Sequence, residues 1–220
     1  MISDGAGDRA DLVLEGGGVK GIGLLGAAVE MHRQGWLFQR IAGASAGAIV
    51  GALIAAYSAA GRDLAQLRGV MRDLDYRRFR DGTPLDKLGL PGKTLELLLQ
   101  QGIYRGDYVA EWLGGVLEGV GVRTFGDLRI DDDTESALAP RQRYRLVVMA
   151  SDVSRGQLVR LPWDYHYYGL DADKQSIVDA VRASVSIPFF FRPVDLPTGP
   201  RGGGTVTLVD GGLLSNFPVD

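Results

Sequence analysis

Ser45 stands between two glycines, each two positions away, in Gly43-Ala44-Ser45-Ala46-Gly47. A serine in this setting fits a nucleophile elbow, where small neighbours let the chain turn sharply from a strand into a helix and present the hydroxyl. The helix N-terminus beside it favours developing negative charge. The same string also suits a glycine-rich turn with Ser45 as a helix N-cap. Upstream lies Gly16-Gly17-Gly18-Val19-Lys20-Gly21. Consecutive glycines can aim backbone N–H groups at an anion, and in acyl transfer that anion is the oxygen of the tetrahedral intermediate. Lys20 reads either as an attractor of a phosphate head group or as an exposed lysine at a helix start. Near the C-terminus, Asp210 closes an apolar run and is followed by Gly211 and Gly212, which open the backbone beside its carboxylate. An ordinary Asp-Gly turn has the same signature. Taken in order, the three motifs can supply oxyanion donors, a nucleophile and a base.

Competing chemistries leave weaker traces. A serine–histidine–acid triad needs a suitable histidine, and the chain has only His32 and His166. His32 falls late on the first helix and reads as a surface residue. His166 sits in an aromatic stretch, residues 163–168, that lines a pocket or covers the core. No histidine follows Asp210, which makes Asp210 the stronger partner for Ser45. Gly16-x-Gly18-x-x-Gly21 also satisfies a dinucleotide fingerprint. That reading needs an acidic residue at the end of the second strand, and residues 31–62 contain none. A dinucleotide-binding Rossmann-type enzyme therefore stays an alternative, as does a catalytically silent lipid-binding domain. Pro91-Gly92-Lys93-Thr94 ends like a P-loop, but Lys87 stands where its first glycine belongs. With no cysteine and two histidines, no cluster has metal-ligand spacing, so neither metal nor cofactor is expected.

These motifs need strands and helices to hold them. Residues 11–14 and 38–42 read as short buried strands, and residues 21–34 as a helix with Ile22, Leu25 and Val29 on one face. A strand, a helix and a strand in this space make a βαβ unit with parallel strands and a right-handed crossover. Residues 46–60 form a small-residue helix. Further helices are expected over 63–74, 94–101, 106–120 and 176–184. Strands are expected over 144–150, 158–161, 189–194 and 205–209. Asp131-Asp132-Asp133 marks an exposed loop. The alternation implies a three-layer α/β/α domain with a mostly parallel central sheet. Residues 62–140 are helix-rich and read as a cap. Gly16, Ser45 and Asp210 each follow a strand, so they should meet at the sheet's C-terminal edge. The Ser45 hydroxyl should then lie about 2.6–3.2 Å from the Asp210 carboxylate.

A net charge of −3 offers no basic field for nucleic acid. The N-terminal residues lack the basic start and apolar core of a signal peptide. Residues 41–61 carry no charge and are long enough to span a bilayer. They are built largely of Ala, Gly and Ser and begin inside a strand, so a buried core helix is the better reading. The protein is thus expected in the cytoplasm, without a transmembrane helix. Oligomeric state is not legible.

The glycine loop, Gly-Ala-Ser-Ala-Gly and Asp210-Gly211-Gly212 followed by Asn216-x-Pro218 together resemble the patatin-like phospholipase family. Ala183-Ser184-Val185-Ser186-Ile187-Pro188 resembles that family's Ala-Ser-x-x-x-Pro segment. The similarity covers residues 12–219. It implies a single catalytic domain over residues 1–220, and lipid acyl-ester hydrolysis by a Ser–Asp dyad without histidine or metal. By resemblance Ser45 is the nucleophile, Asp210 the base, and Gly16, Gly17 and Gly18 the oxyanion hole. Lys20, Gly21, Gly43, Gly47, Gly211 and Gly212 support the motifs. The implied partners are a lipid substrate and, transiently, a membrane or micelle surface. The chain stops ten residues after Asp210, where relatives usually continue, so it reads as a fragment or a minimal domain.

Overall fold

A parallel pair opens the chain in the computed structural model, which describes residues 8–79, 104–130, 137–199 and 203–218. β1 (Arg9–Leu14) and β2 (Leu37–Ala44) lie side by side, with Leu14 opposite Gly43, and α1 (Gly21–Arg33) crosses between them. β2 then pairs in parallel with β3 (Leu146–Asp152), Ala44 facing Met149. β4 (Gln157–Leu161) returns from β3 as an antiparallel hairpin. β5 (Val194–Pro197) and β6 (Thr205–Asp210) are antiparallel to each other, and β6 is antiparallel to β3. The result is one mixed six-stranded sheet. Its first three strands and β5 run one way, β4 and β6 the other. The architecture is α/β, a mostly parallel sheet flanked by helices, as in a three-layer α/β/α domain.

The direction of β6 corrects one expectation. Asp210 does not reach the site by ending a strand parallel to β2. Met149 pairs with both Ala44 of β2 and Arg160 of β4, so β2 and β4 occupy opposite edges of β3. Ala150 pairs with both Val159 of β4 and Asp210 of β6, so β6 shares the β2 edge. Strands β2 and β6 therefore approach one another end to end along a single edge of β3. The elbow after β2 and the last residue of β6 meet where they abut.

α2 (Ala46–Ala59) follows the elbow directly. Twelve of its fourteen residues are buried, the fate of a helix that is apolar all round. Uncharged residues 41–61 thus form the end of β2, the elbow and a core helix. None of the described helices is long and apolar enough to cross a membrane. α2 packs on the sheet face that presents Ile41, Leu146 and Val148. Short α3 (Leu67–Arg72), α4 (Asp107–Gly119) and α5 (Ile177–Ser184) join the same core through Leu67, Leu113 and Ile177. The other face carries Ala42, Ala44, Val147 and Met149 against Leu158 and Trp163.

Other local expectations also shift. Residues 63–74 are not one helix: the Asp63 side chain accepts from the Ala65 N–H and caps a short 3₁₀ turn ahead of α3. No strand runs over residues 189–193. Pro188 and Pro193 cannot donate to a ladder, and Phe189 takes a positive φ of 68°. Ile22 is 52% exposed and does not join the α1 core face. The helix expected over 94–101, the Asp131-Asp132-Asp133 loop and the P-loop-like residues 91–94 lie outside the described residues.

Candidate functional site

Ser45 adopts φ 51° and ψ −122°, a left-handed backbone that L residues hold only under surrounding constraint. Its flanking glycines explain how the chain passes. A Cβ at Gly43 would collide with the Gly47 carbonyl, and one at Gly47 with the Leu14 carbonyl of β1. The elbow is therefore wedged between β1 and its own helix, and alanine fits neither position without moving backbone. At Gly21, by contrast, an added Cβ would make only ordinary contact with Ala46 and Val50 of α2, so the packing there does not demand glycine.

The Ser45 Oγ donates to Asp210 Oδ2 at 2.8 Å, across 165 positions of sequence. The other carboxylate oxygen, Oδ1, accepts the Gly212 N–H at 2.7 Å. Ser45 is 8% exposed and Asp210 5% exposed, so bulk water competes little for either. Burial pushes the Asp210 carboxyl above the ordinary carboxylate range, and the hydrogen bonds from Ser45 and Gly212 pull it back only in part. Main-chain bonds hold the acid from both sides. Its N–H donates to the Ser186 carbonyl at 2.9 Å, and its carbonyl accepts the Ser151 hydroxyl at 2.9 Å. Gly211 is close-packed on the Met149 carbonyl, leaving no room for a side chain.

The three glycines of the loop differ in their contacts. Gly16 donates its N–H to the Asn216 carbonyl at 3.0 Å, and its carbonyl accepts the Asn216 amide at 3.1 Å. That N–H is committed, which removes Gly16 from the expected set of oxyanion donors and makes it a brace to the C-terminal turn. Gly17 and Gly18 have N–H groups with no hydrogen-bond partner among the described residues. Gly18 needs its positive φ of 56°, where a side chain would be strained. Lys20 is exposed, one turn beyond the loop.

Ser45 opens into a cavity of about 270 Å³. Its walls are Gly18, Val19, Gly21, Ala46, Ile49 and Val50 on the elbow side. Met71, Leu74, Tyr104, Val185, Ile187, Phe190 and Phe191 face them. Among the described residues nearly every wall is apolar, and none of them puts a charged side chain on the lining. Neither histidine takes part: His32 Nδ1 pairs with the Trp36 carbonyl and exposed His166 Nδ1 with the Trp163 carbonyl. Among the described residues no group of three potential metal ligands gathers.

Sequence reading assigned no role to three contributors. The Ser184 hydroxyl accepts the Ser45 N–H at 2.9 Å. Ser151 and Asn216 steady Asp210 and Gly16. Only Ser184 and Asn216 stood in strings that drew attention, and neither string said what the side chain holds.

Comparison with known proteins gives three kinds of likeness. A family model for "Patatin-like phospholipase" matches residues 12–220. The "Uncharacterized protein YqhO" of Bacillus subtilis is 38% identical over 213 residues, covering 95% of this chain and 65% of its own length. The "Uncharacterized NTE family protein MT2641" of Mycobacterium tuberculosis is 30% identical over 215 residues, covering 98% of this chain and 28% of its own. The chain thus spans less than two thirds of the length of these curated relatives. Among solved structures, VipD from Legionella pneumophila shares the fold with a TM-score of 0.52 at 20% identity, over 97% of this chain and 47% of that one.

Proposed function

The chain belongs to the patatin-like phospholipase family, and on that premise we propose that it hydrolyses carboxylic esters of phospholipids or related acyl lipids through Ser45 and Asp210. The observation that carries this reading is the 2.8 Å hydrogen bond between them at the wall of an apolar cavity. Asp210 takes the Ser45 proton as Oγ attacks the ester carbonyl. The N–H groups of Gly17 and Gly18 receive the oxyanion. Asp210 returns the proton to the leaving alcohol, and an acyl-enzyme remains. The same carboxylate then activates water, which releases the fatty acid and restores Ser45. A carboxylate raised by burial is better matched to this work than an exposed one. The cavity takes the acyl chain, because a chain of methylenes loses nothing by leaving water for an apolar wall.

The rim of the cavity supports contact with a lipid surface. Val19, Ile187 and Phe190 line it while remaining 67%, 42% and 54% exposed. Ile22 and Phe189, each next in sequence to a lining residue, are also exposed, at 52% and 62%. Lys20 stands beside it to meet a phosphate head group. The dinucleotide reading lacks its ribose-binding acid, because β2 ends on Ala44 and leads into Ser45.

A panel of phospholipids and p-nitrophenyl esters, run with wild type and Ser45→Ala, tests the proposal. Wild type should turn over acyl esters, and Ser45→Ala should be inert with an unchanged circular-dichroism spectrum. Retention of most activity by a clean preparation of the variant would remove Ser45 from the mechanism.

A further inference from the structure

One segment touches both members of the Ser45–Asp210 pair. α5 ends at Ser184, which is fully buried. Its hydroxyl accepts the Ser45 N–H. Two residues on, the Ser186 carbonyl accepts the Asp210 N–H. Ser186 is itself tied down: its hydroxyl donates to the Arg182 carbonyl at 2.8 Å and accepts from the Arg182 guanidinium at 2.6 Å. α5 is anchored in the core by Ile177, Ala180 and Val181, so the segment moves only if the core does. From these contacts we infer that Ser184 is a positioning residue for the nucleophile. Residues 184–186 form the reference against which Ser45 and Asp210 are aligned. The inference rests on the reading of Ser45 as nucleophile.

The physical need is specific. Ser45 sits in a backbone region that a free chain would leave. Helix bonds fix the carbonyl side of the residue: Ala48 and Ile49 donate to the Ser45 carbonyl at 2.9 and 3.4 Å. They do nothing for its amide. Ser184 is the only partner the Ser45 N–H has among the described residues, and it is reached across 139 positions. A buried hydroxyl with no water to compete holds that amide in one orientation. The orientation of the amide sets the direction of Oγ, and so its line to Asp210. Without the hydroxyl, the amide is left buried and unpaired, and the residue gains a reason to rotate. The protein would still carry Ser45 and Asp210, in poorer register.

Labelling by a fluorophosphonate separates positioning from folding. The fraction of protein that labels reports how much is folded, and the second-order rate constant reports how well Ser45 is activated in each folded molecule. In Ser184→Ala we expect complete labelling with a rate constant reduced about ten-fold or more, the scale of one lost buried hydrogen bond. Ser184→Thr, which keeps the hydroxyl, should recover most of the rate. If Ser184→Ala is recovered unfolded, Ser184→Cys carries the comparison, since it keeps the volume and exchanges a good acceptor for a weak one. An alanine or cysteine variant that labels at the wild-type rate overturns the inference. So does a threonine variant that labels completely but as slowly as alanine. A wild type that fails to label would overturn the nucleophile reading and this inference together, whereas the preceding outcomes overturn this inference alone.

Discussion

Among the carboxylates that accept a hydrogen bond from a hydroxyl, Asp210 and Asp173 have surroundings that send them in opposite directions. Asp210 accepts from Ser45 at 2.8 Å. Asp173 accepts from Tyr144 at 2.5 Å, and Arg129 reaches the same oxygen at 2.9 Å. Asp173 is held below the ordinary carboxylate range, first by the Tyr144 hydrogen bond and then by Arg129, against some burial. Asp210 is held above that range by burial, with only neutral donors beside it. A hydroxyl donor alone does not make a structural ion pair. The guanidinium and the exposure of Asp173 make its cluster a clamp between β3's approach and the 172–174 turn. The lack of a cation at Asp210, among the described residues, leaves a buried carboxylate able to take a proton.

The largest expected effect comes from removing that capacity. Asp210→Asn keeps the shape and an acceptor for the Gly212 N–H but cannot accept a proton. Ester turnover should fall by about a thousand-fold or more, the scale of a lost triad member. Its stability should move the other way. A carboxyl whose pKa is raised on folding stabilises the protein while protonated, below its unfolded value near 3.9. That contribution is lost as pH rises through the folded value. At neutral pH the wild type therefore carries a cost that asparagine removes, and the melting temperature of the variant should rise. Loss of activity together with a lower melting temperature would mark Asp210 as structural instead.

A smaller effect follows from bringing a cation toward the site. Leu213 is 56% exposed and follows Gly212, which bonds Asp210. Leu213→Lys should make Asp210 more like Asp173, moving the acid limb of kcat/KM to lower pH by less than about one unit at low salt. High salt should reverse the shift, and a shift to higher pH would contradict the comparison.

The smallest effect on turnover belongs to the clamp. Asp173→Asn should leave hydrolysis unchanged and reduce stability at neutral pH by about 1 kcal/mol or less, because the partners are partly exposed and screened. The sign is opposite to that of Asp210. A carboxyl depressed on folding contributes above its unfolded pKa, and the contribution is lost as pH falls through the folded value. Melting curves of wild type and variant should therefore converge in acid. A difference that persists there would show that the network acts through shape and not charge.

Much of this site was legible because its residues must be of particular kinds. Gly43 and Gly47 sit where any side chain meets backbone, and that requirement is visible as a motif. The β1–α1–β2 crossover was legible from apolar spacing between glycine stops. The direction of β6 was not, since Asp-Gly-Gly ends a strand equally well from either direction. Gly16 resembled its neighbours in sequence, but its bond to Asn216 spans 200 positions, and no local pattern announces it. Ser184 stands in a recognisable string, but nothing in that string says that its hydroxyl holds an amide 139 positions away. The aromatic run at 189–191 suggested a strand by propensity, and the prolines on either side prevailed.

The central claim is that a carboxylate kept basic by burial, and not an imidazole, activates Ser45. Its most direct measurement is the pH profile of kcat/KM for a soluble ester, in wild type and in a His32→Ala, His166→Ala double variant. The account predicts a single acid limb, above the ordinary carboxylate value and unchanged when both histidines are gone. A limb near the imidazole value of about 6.5 that vanishes with the histidines, taking most of the activity with it, would contradict it.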